Sequence, residues 1–135
     1  MRIYKVRTKR ELLECDEFLA QHGPLNGPPA STQQATWACR SGKVLVAVCC
    51  ACTTQSLDGT VLAHLTNCAV HSDMRGQGLQ TDLVETRVAW ARRKRAKHVL
   101  THTWNTNVAS MINLIKAGFE PYCVEGEHVS FRRAL

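Results

Sequence analysis

The spacing of apolar and polar positions divides the chain into short strands and helices. The strand period, or a continuous apolar run, occurs at residues 2–7, 36–40, 43–52, 60–70, 98–104, 119–124 and 128–133. Helical spacing occurs from the capping box of Thr8 and Glu11 to Gly23, over residues 77–97 and over residues 108–117. This order predicts an α/β domain with a mixed sheet. Its early part is antiparallel, because Ser41-Gly42 is a two-residue hairpin signal.

Three segments of the sequence indicate particular structural features. Residues 43–52 are apolar throughout, which is typical of a central strand buried on both faces. Residues 23–34 hold three of the four prolines and therefore predict an irregular loop. The helix at 77–97 ends on the basic run Arg92–Lys97, which suits the helix dipole. Its apolar stripe consists of Leu79, Leu83, Val84, Val88 and Ala91.

Composition narrows the class of protein. The 135 residues are 44% hydrophobic and 21% charged, which predicts one packed domain over residues 1–135. No apolar run approaches the roughly 18 residues of a membrane helix, and the N-terminus lacks the apolar core of a secretory signal. We therefore expect a soluble, cytoplasmic protein with reduced thiols. Cys49, Cys50 and Cys52 lie in the apolar strand and predict buried side chains rather than metal ligands.

The segment with the clearest chemistry joins the strand at 60–70 to the helix at 77–97. A turn containing Arg75, Gly76 and Gly78 lies between them. A helix N-terminus presents unpaired N–H groups and a partial positive charge, and glycines let a phosphate approach the backbone. The segment predicts a pyrophosphate cradle, and an ordinary strand-to-helix turn is the alternative.

A second segment about thirty residues downstream completes a family pattern. Arg75-x-x-Gly78 matches the motif (Gln/Arg)-x-x-Gly-x-(Gly/Ala), with Gln80 in place of the last small residue. Asn107-x-x-Ser110, followed by Lys116-x-Gly118-Phe119, is similar to the motif Asn-x-x-Ala/Ser and then Lys-x-Gly-Phe. Over about residues 60–120 the chain resembles the GNAT superfamily of acyl-CoA-dependent N-acetyltransferases.

This resemblance implies a GNAT-like fold, in which a central mixed, mostly antiparallel β-sheet is flanked by helices. It implies acetyl-CoA as co-substrate and no metal. Acetyl-CoA would bind in a V-shaped gap between the parallel strands at 60–70 and 98–104. The residues that the resemblance assigns to acetyl-CoA are Ala69, Val70 and His71 for the pantetheine arm, Arg75, Gly76, Gln77, Gly78, Leu79 and Gln80 for the pyrophosphate, and Asn107 and Ser110 for the other side of the arm.

The resemblance also suggests catalytic residues. Histone-modifying members carry a glutamate six residues before the last apolar position of this strand, and here that position is His64. A neutral histidine can act as general base at pH 7, although a structural, hydrogen-bonded histidine is the alternative. His102 on the neighbouring strand is a second candidate. Many members place a tyrosine, as general acid, where this chain has Leu114, and Tyr122 could replace it or only pack.

The acceptor is left open by the sequence. Residues 23–34 form a shorter segment than the helices that many members place over the acceptor site, so we expect an open groove and a large acceptor. The net charge of +6 attracts anions, and Arg92–Lys97 is either a solvated helix end or a contact for nucleic acid. Acylation of nucleic acid or of a nucleic-acid-bound protein, and a non-catalytic acyl-CoA-binding module, are the alternative functions. We expect no membrane association, and either a monomer or a homodimer.

Overall fold

The computed structural model describes residues 2–24 and 27–135. The strands are β1 (Ile3–Lys5), β2 (Ala35–Ser41), β3 (Val44–Gln55), β4 (Val61–Val70), β5 (His98–Trp104), β6 (Glu120–Glu125) and β7 (His128–Ala134). The helices are α1 (Lys9–His22), α2 (Leu79–Arg93) and α3 (Val108–Lys116), with 3₁₀ turns at Ala30–Thr32 and Ser72–Met74. The predicted order of elements is confirmed, although β1 is shorter than residues 2–7.

The seven strands form one sheet in the order β1-β2-β3-β4-β5-β7-β6. Neighbouring strands are antiparallel except β4 and β5, which run parallel. A parallel pair needs a crossover connection, and α2 supplies it. The predicted mixed, mostly antiparallel sheet is therefore confirmed.

The parallel strands β4 and β5 separate along their length. Their register comprises three pairs and ends at His64 and Leu100. Directly beyond that point β4 contains a bulge, because the two steps of β3 from Cys49 to Ala51 face the three steps of β4 from Leu65 to Cys68. A bulge bends its strand and increases the local twist. The bulge therefore directs the end of β4 away from β5 and opens a V-shaped gap.

Helices cover the two faces of the sheet unequally. On one face α2 and α3 enclose the larger core, in which Leu83, Val88 and Phe131 are fully buried. Burial of such side chains stabilises the fold by about 1.5–3 kcal/mol each. On the other face α1 packs on β3 and β4 around Cys15 and Val48. The apolar stripe predicted for α2 is buried at every position.

The long helix is shorter than the predicted 77–97. It begins at Leu79, because Gly78 before it adopts a left-handed conformation with φ of +80°. It ends at Arg93, because Arg95 has φ of +61° and reverses the chain in a Schellman-type cap.

Arg87 is a buried cation on the inner face of α2. The residue is 3% exposed, and its Nη1 donates to Cys50 O at 3.2 Å and to Asn67 O at 3.5 Å. Both carbonyls belong to the β3–β4 bulge. Within residues 2–24 and 27–135 it forms no ion pair with a carboxylate. Arg87 therefore holds α2 against the bulge that opens the gap. In the sequence, Arg87 comes four residues after Leu83, so it lies in the apolar stripe, and this position indicates that its side chain is buried.

The proline-rich loop borders the face that carries α1. Within the loop predicted over residues 23–34, Leu25 and Asn26 lie outside the described residues. The side chain of Gln33 accepts from Thr66 Oγ1 at 3.0 Å, and that of Gln34 accepts from the backbone of Thr53 at 2.8 Å. These bonds join the loop to β3 and to the middle of β4.

Candidate active site

The end of β4 presents backbone groups to the gap. His71 N–H donates to Val46 O at 2.8 Å, so His71 is bonded to β3. Because backbone groups alternate in direction along an antiparallel ladder, Ala69 also faces β3, and Val70 faces the gap. Of the three residues expected to meet the pantetheine arm, Val70 is the one whose N–H points into the gap. Its carbonyl oxygen accepts a hydrogen bond from Arg75 Nε at 3.3 Å.

The turn after β4 has the geometry of an anion cradle. Gly76 and Gly78 have φ of +77° and +80°, and a Cβ on either would meet no atom within 4 Å. The space beside both glycines is therefore open. The first bond of α2 joins Asp82 N–H to Gly78 O, so the N–H groups of residues 79–81 have no partner inside the helix. Open glycines, free N–H groups and the Arg75 guanidinium suit a pyrophosphate.

Asn107 and Ser110 shape the start of α3. Asn107 is the N-cap of the helix, and its Oδ1 accepts from Ser110 N at 3.1 Å. This bond satisfies one of the free N–H groups of the first turn. The motif Asn-x-x-Ser thus has a structural role here whatever else it contacts.

The second half of that motif closes α3. Gly118 has φ of +88°, and Phe119 N–H returns to Leu114 O at 3.0 Å, which is the geometry of a Schellman cap. Phe119 and Leu114 are both buried in the core under α2 and α3. The position at which a family tyrosine would serve as acid is therefore part of the hydrophobic core in this chain.

A groove of about 380 Å³ lies on the opposite face of the sheet, where β4 and β5 separate. Its lining is Cys52, Thr54, His64, Leu65, Thr66, Leu100, Thr101, His102, Tyr122 and Ser130. The turn after β4 leads to α2 on the other face, so the gap connects this groove with the cradle. We call this groove the acceptor groove, after the role proposed for it below.

His64 lies in the acceptor groove with a defined hydrogen bond. Its Nε2 is 2.8 Å from Thr54 Oγ1 on β3. Partial burial holds the pKa of the imidazole below its usual 6.5, because the charged form loses hydration. The ring is therefore neutral at pH 7 and carries a lone pair. This environment suits a general base and equally accounts for a structural histidine.

The structure brings both other catalytic candidates into the same groove. His102 lies on β5 and Tyr122 on β6, and both line the acceptor groove with His64. Tyr122 is 46% exposed and its ring lies 5.3 Å from the Arg132 guanidinium. Residues distant in sequence meet here because β7 lies between β5 and β6.

No pattern in the sequence indicates two polar residues of the site. Thr54 holds the His64 ring, and Thr101 Oγ1 donates to Leu65 O at 3.2 Å across the closed end of the gap. Both positions depend on strand register, which local spacing does not reveal.

The basic run at the end of α2 lies far along the helix from the cradle. Arg92, Arg93, Lys94, Arg95 and Lys97 are exposed. The pKa of Lys5 on β1 is lowered, first by burial and then by the neighbouring charges of Arg7, Lys94 and Arg93. The run therefore joins β1 in one basic patch, made of Lys5, Arg7 and the cations of 92–97.

Two of the three cysteines expected to be buried on β3 are buried, and the third is not. Cys49 and Cys50 are buried as predicted, and burial raises the pKa of both thiols. The prediction of a buried side chain is wrong for Cys52, which is half-buried because it pairs with His64 at the edge of the acceptor groove. Among the described residues, no helix has the length and apolar character that crossing a membrane would need.

The sheet, gap and cradle together define an acyltransferase-like fold. The sequence model of the acetyltransferase (GNAT) family matches residues 6–119, and the chain belongs to this family. Among curated proteins, no sequence matches significantly.

Solved structures show the same fold. Naa50 from Arabidopsis thaliana, in complex with the bisubstrate analogue CoA-Ac-MVNAL, has a TM-score of 0.82 at 12% identity, with 100% of each chain covered. The NatC complex bound to Gag peptide and CoA contains a chain with a TM-score of 0.78 at 15% identity, covering 100% of this chain and 99% of that one. A Bacillus subtilis acetyltransferase in complex with CoA has a TM-score of 0.69 at 16% identity, covering 99% and 98%. At these identities the likeness establishes the fold.

Proposed function

We propose that this acetyltransferase transfers an acetyl group from acetyl-CoA directly to a primary amine. The observation that carries the proposal is the gap between β4 and β5, with a phosphate cradle at its open end and the acceptor groove on the opposite face. CoA and acetyl-CoA complexes among the similar structures support the choice of thioester.

The residues around the gap fit acetyl-CoA. The N–H groups at residues 75–80 would hold the pyrophosphate, because Gly76 and Gly78 leave that space open. Val70 supplies a backbone N–H inside the gap, while Ala69 and His71 would support it through their bonds to β3. Asn107 and Ser110 would line the opposite side. The cradle uses backbone N–H groups and one guanidinium, so no metal is needed to hold the phosphates.

His64 is proposed as the general base. With the proton on Nε2, the ring donates to Thr54 Oγ1, and Nδ1 keeps the lone pair. That nitrogen takes a proton from the amine as the amine nitrogen bonds to the thioester carbonyl carbon. The C–S bond then breaks, and the sulfur leaves as thiolate. Val70 N–H would stabilise the negative charge on the carbonyl oxygen.

Tyr122 is proposed to supply the proton that the leaving thiolate needs. Leu114 cannot do so because it has no ionisable group and is buried in the core. Tyr122 is the phenol in the lining of the acceptor groove. His102 is the second candidate for the general base. Replacing His102 and His64 one at a time distinguishes the two candidates.

Acetyl-CoA binding and turnover test the proposal together. We expect calorimetric titration of acetyl-CoA to give a micromolar Kd, and we expect thiol release to depend on an added amine. Desulfo-CoA, which has the same phosphates without the thioester, serves as the control ligand for the cradle. Failure to bind at millimolar acetyl-CoA would contradict the proposal and favour a non-catalytic interaction module.

As a second candidate, we propose that the acceptor is a nucleic acid or a protein bound to one. The basic patch favours it, because Arg7, Arg93 and Lys94 lie close enough to Lys5 to add to the lowering of its pKa by burial. The apparent affinity for a labelled RNA of about 20 nucleotides should then fall steeply with salt. Arg93→Ala and Lys94→Ala should each reduce the salt slope by about 1. RNA binding that is absent at low salt would remove this candidate.

A further inference from the structure

Exposed rings continue the acceptor groove along β5 and β7. Trp104 is 47% exposed, and its ring centroid lies 4.2 Å from that of His128, which it faces in the β5–β7 register. The His128 ring lies 5.5 Å from that of His102, which lines the groove. These three side chains form a row, here called the aromatic row, that begins in the groove and follows β5 to its end.

The aromatic row is not part of the hydrophobic core. The other two tryptophans, Trp37 and Trp90, are buried and contact each other edge to face. Trp104 instead stands on a face of the sheet that carries the acceptor groove. Among the described residues, His128 Nδ1 is shielded from solvent and has no hydrogen-bond partner, an arrangement that costs stability. The exposed Trp104 ring, packed against His128, presents a flat surface on which an apolar group can pack.

The lining of the acceptor groove is poorly suited to a strongly basic acceptor. Among the described residues that line it, none is an aspartate or a glutamate. Glu120 lies nearby on β6, but Arg132 Nε is 3.4 Å from its carboxylate and neutralises it. The net charge of +6 adds repulsion toward a polycation. The hydroxyl groups of Thr66 and Ser130 can instead bond the amide groups of a peptide.

We propose that the aromatic row is an acceptor subsite that binds an apolar or aromatic side chain near the free N-terminus of a peptide. The inference rests on the proposed function, since it needs the peptide amine to lie in the acceptor groove beside His64. The open groove leaves room for the rest of the peptide chain. The rings of Trp104 and His128 provide a flat surface on which such a side chain packs.

Peptides that differ in their first two residues test the subsite. We would compare kcat/KM for free-N-terminal hexapeptides beginning Met-Phe, Met-Leu, Ser-Ser and Lys-Lys. The Met-Phe and Met-Leu peptides should exceed the Lys-Lys peptide by at least about tenfold. Trp104→Ala should raise KM for the Met-Phe peptide by about tenfold, a change typical of a lost aromatic contact. It should leave the Ser-Ser peptide and the Kd of acetyl-CoA unchanged.

Val124→Ala is the matched control, because Val124 is an exposed apolar residue paired with Val129, whose side chain faces the other side of the sheet. It should change neither parameter. A Lys-Lys preference, or an apolar preference that survives Trp104→Ala, would overturn the subsite. Acetylation of small amines without acetylation of any peptide would overturn it while leaving the proposed function intact. Failure of acetyl-CoA itself to bind would overturn both.

Discussion

Gly78→Glu is expected to weaken acetyl-CoA binding by at least about 100-fold, which corresponds to about 2.7 kcal/mol. A side chain at Gly78 would extend into open space, since its Cβ meets no atom within 4 Å. A carboxylate there would occupy the N-terminus of α2 and repel the pyrophosphate. The backbone strain of a side chain at φ of +80° adds about 1–2 kcal/mol of destabilisation. Calorimetric Kd and thermal midpoint, measured on the same sample, separate the two effects.

Gly59→Glu is the matched control for that change. Gly59 lies in the turn before β4, at the opposite end of the strand from the cradle, and has φ of +87°. A Cβ there makes ordinary contact with Gln55 at 3.8 Å. The two variants should lose similar stability, and the Gly59 variant should keep its affinity. Equal affinity in both variants would show that the cradle is wrongly assigned.

His64→Gln is expected to lower kcat/KM for the amine by about 100- to 10,000-fold, the usual range for loss of a general base. Glutamine can still bond to Thr54, so the groove should keep its shape. The Kd of acetyl-CoA should stay within about twofold, which is less than about 0.5 kcal/mol, because the cradle lies elsewhere. Steady-state kinetics with a primary amine and calorimetry on the same variant provide the two measurements.

The pH dependence of the same reaction gives a second readout for His64. Burial holds its pKa below 6.5, so the neutral base is lost only as the pH falls through that lower value. The wild-type rate should show an acid limb below pH 6.5, and His64→Gln should lack it. The same shift favours the folded state above pH 6.5, and this contribution is lost as the pH falls.

Two other histidines complete the test of the base. His98 lies at the start of β5 beside Leu62 and outside the acceptor groove, so His98→Gln should keep both rate and acid limb. His102→Gln should lower the rate less than His64→Gln does. If instead His102→Gln removes the acid limb and His64→Gln retains it, the base is His102.

Local sequence determined much of the fold. Thr8 accepts from Glu11 N and begins α1, and Gly118 with Phe119 closes α3, as their residue types predict. The periodicities also indicate the turn proposed as the cradle, because an Arg-x-x-Gly turn between a strand and a long helix depends on neighbours in the chain. Sequence patterns predict a structural feature correctly where the contacts that stabilise it join residues only a few positions apart.

The tertiary structure alone decided how the gap opens and what surrounds it. Which strands pair, and in which register, depends on contacts between distant segments. The bulge in β4, its attachment to Arg87 and the placement of β7 between β5 and β6 all follow from such contacts. They bring His64 to Thr54 and Trp104 to His128. Local sequence therefore predicts where the phosphates of acetyl-CoA would bind, and long-range strand pairing sets the geometry of the groove proposed for the acceptor.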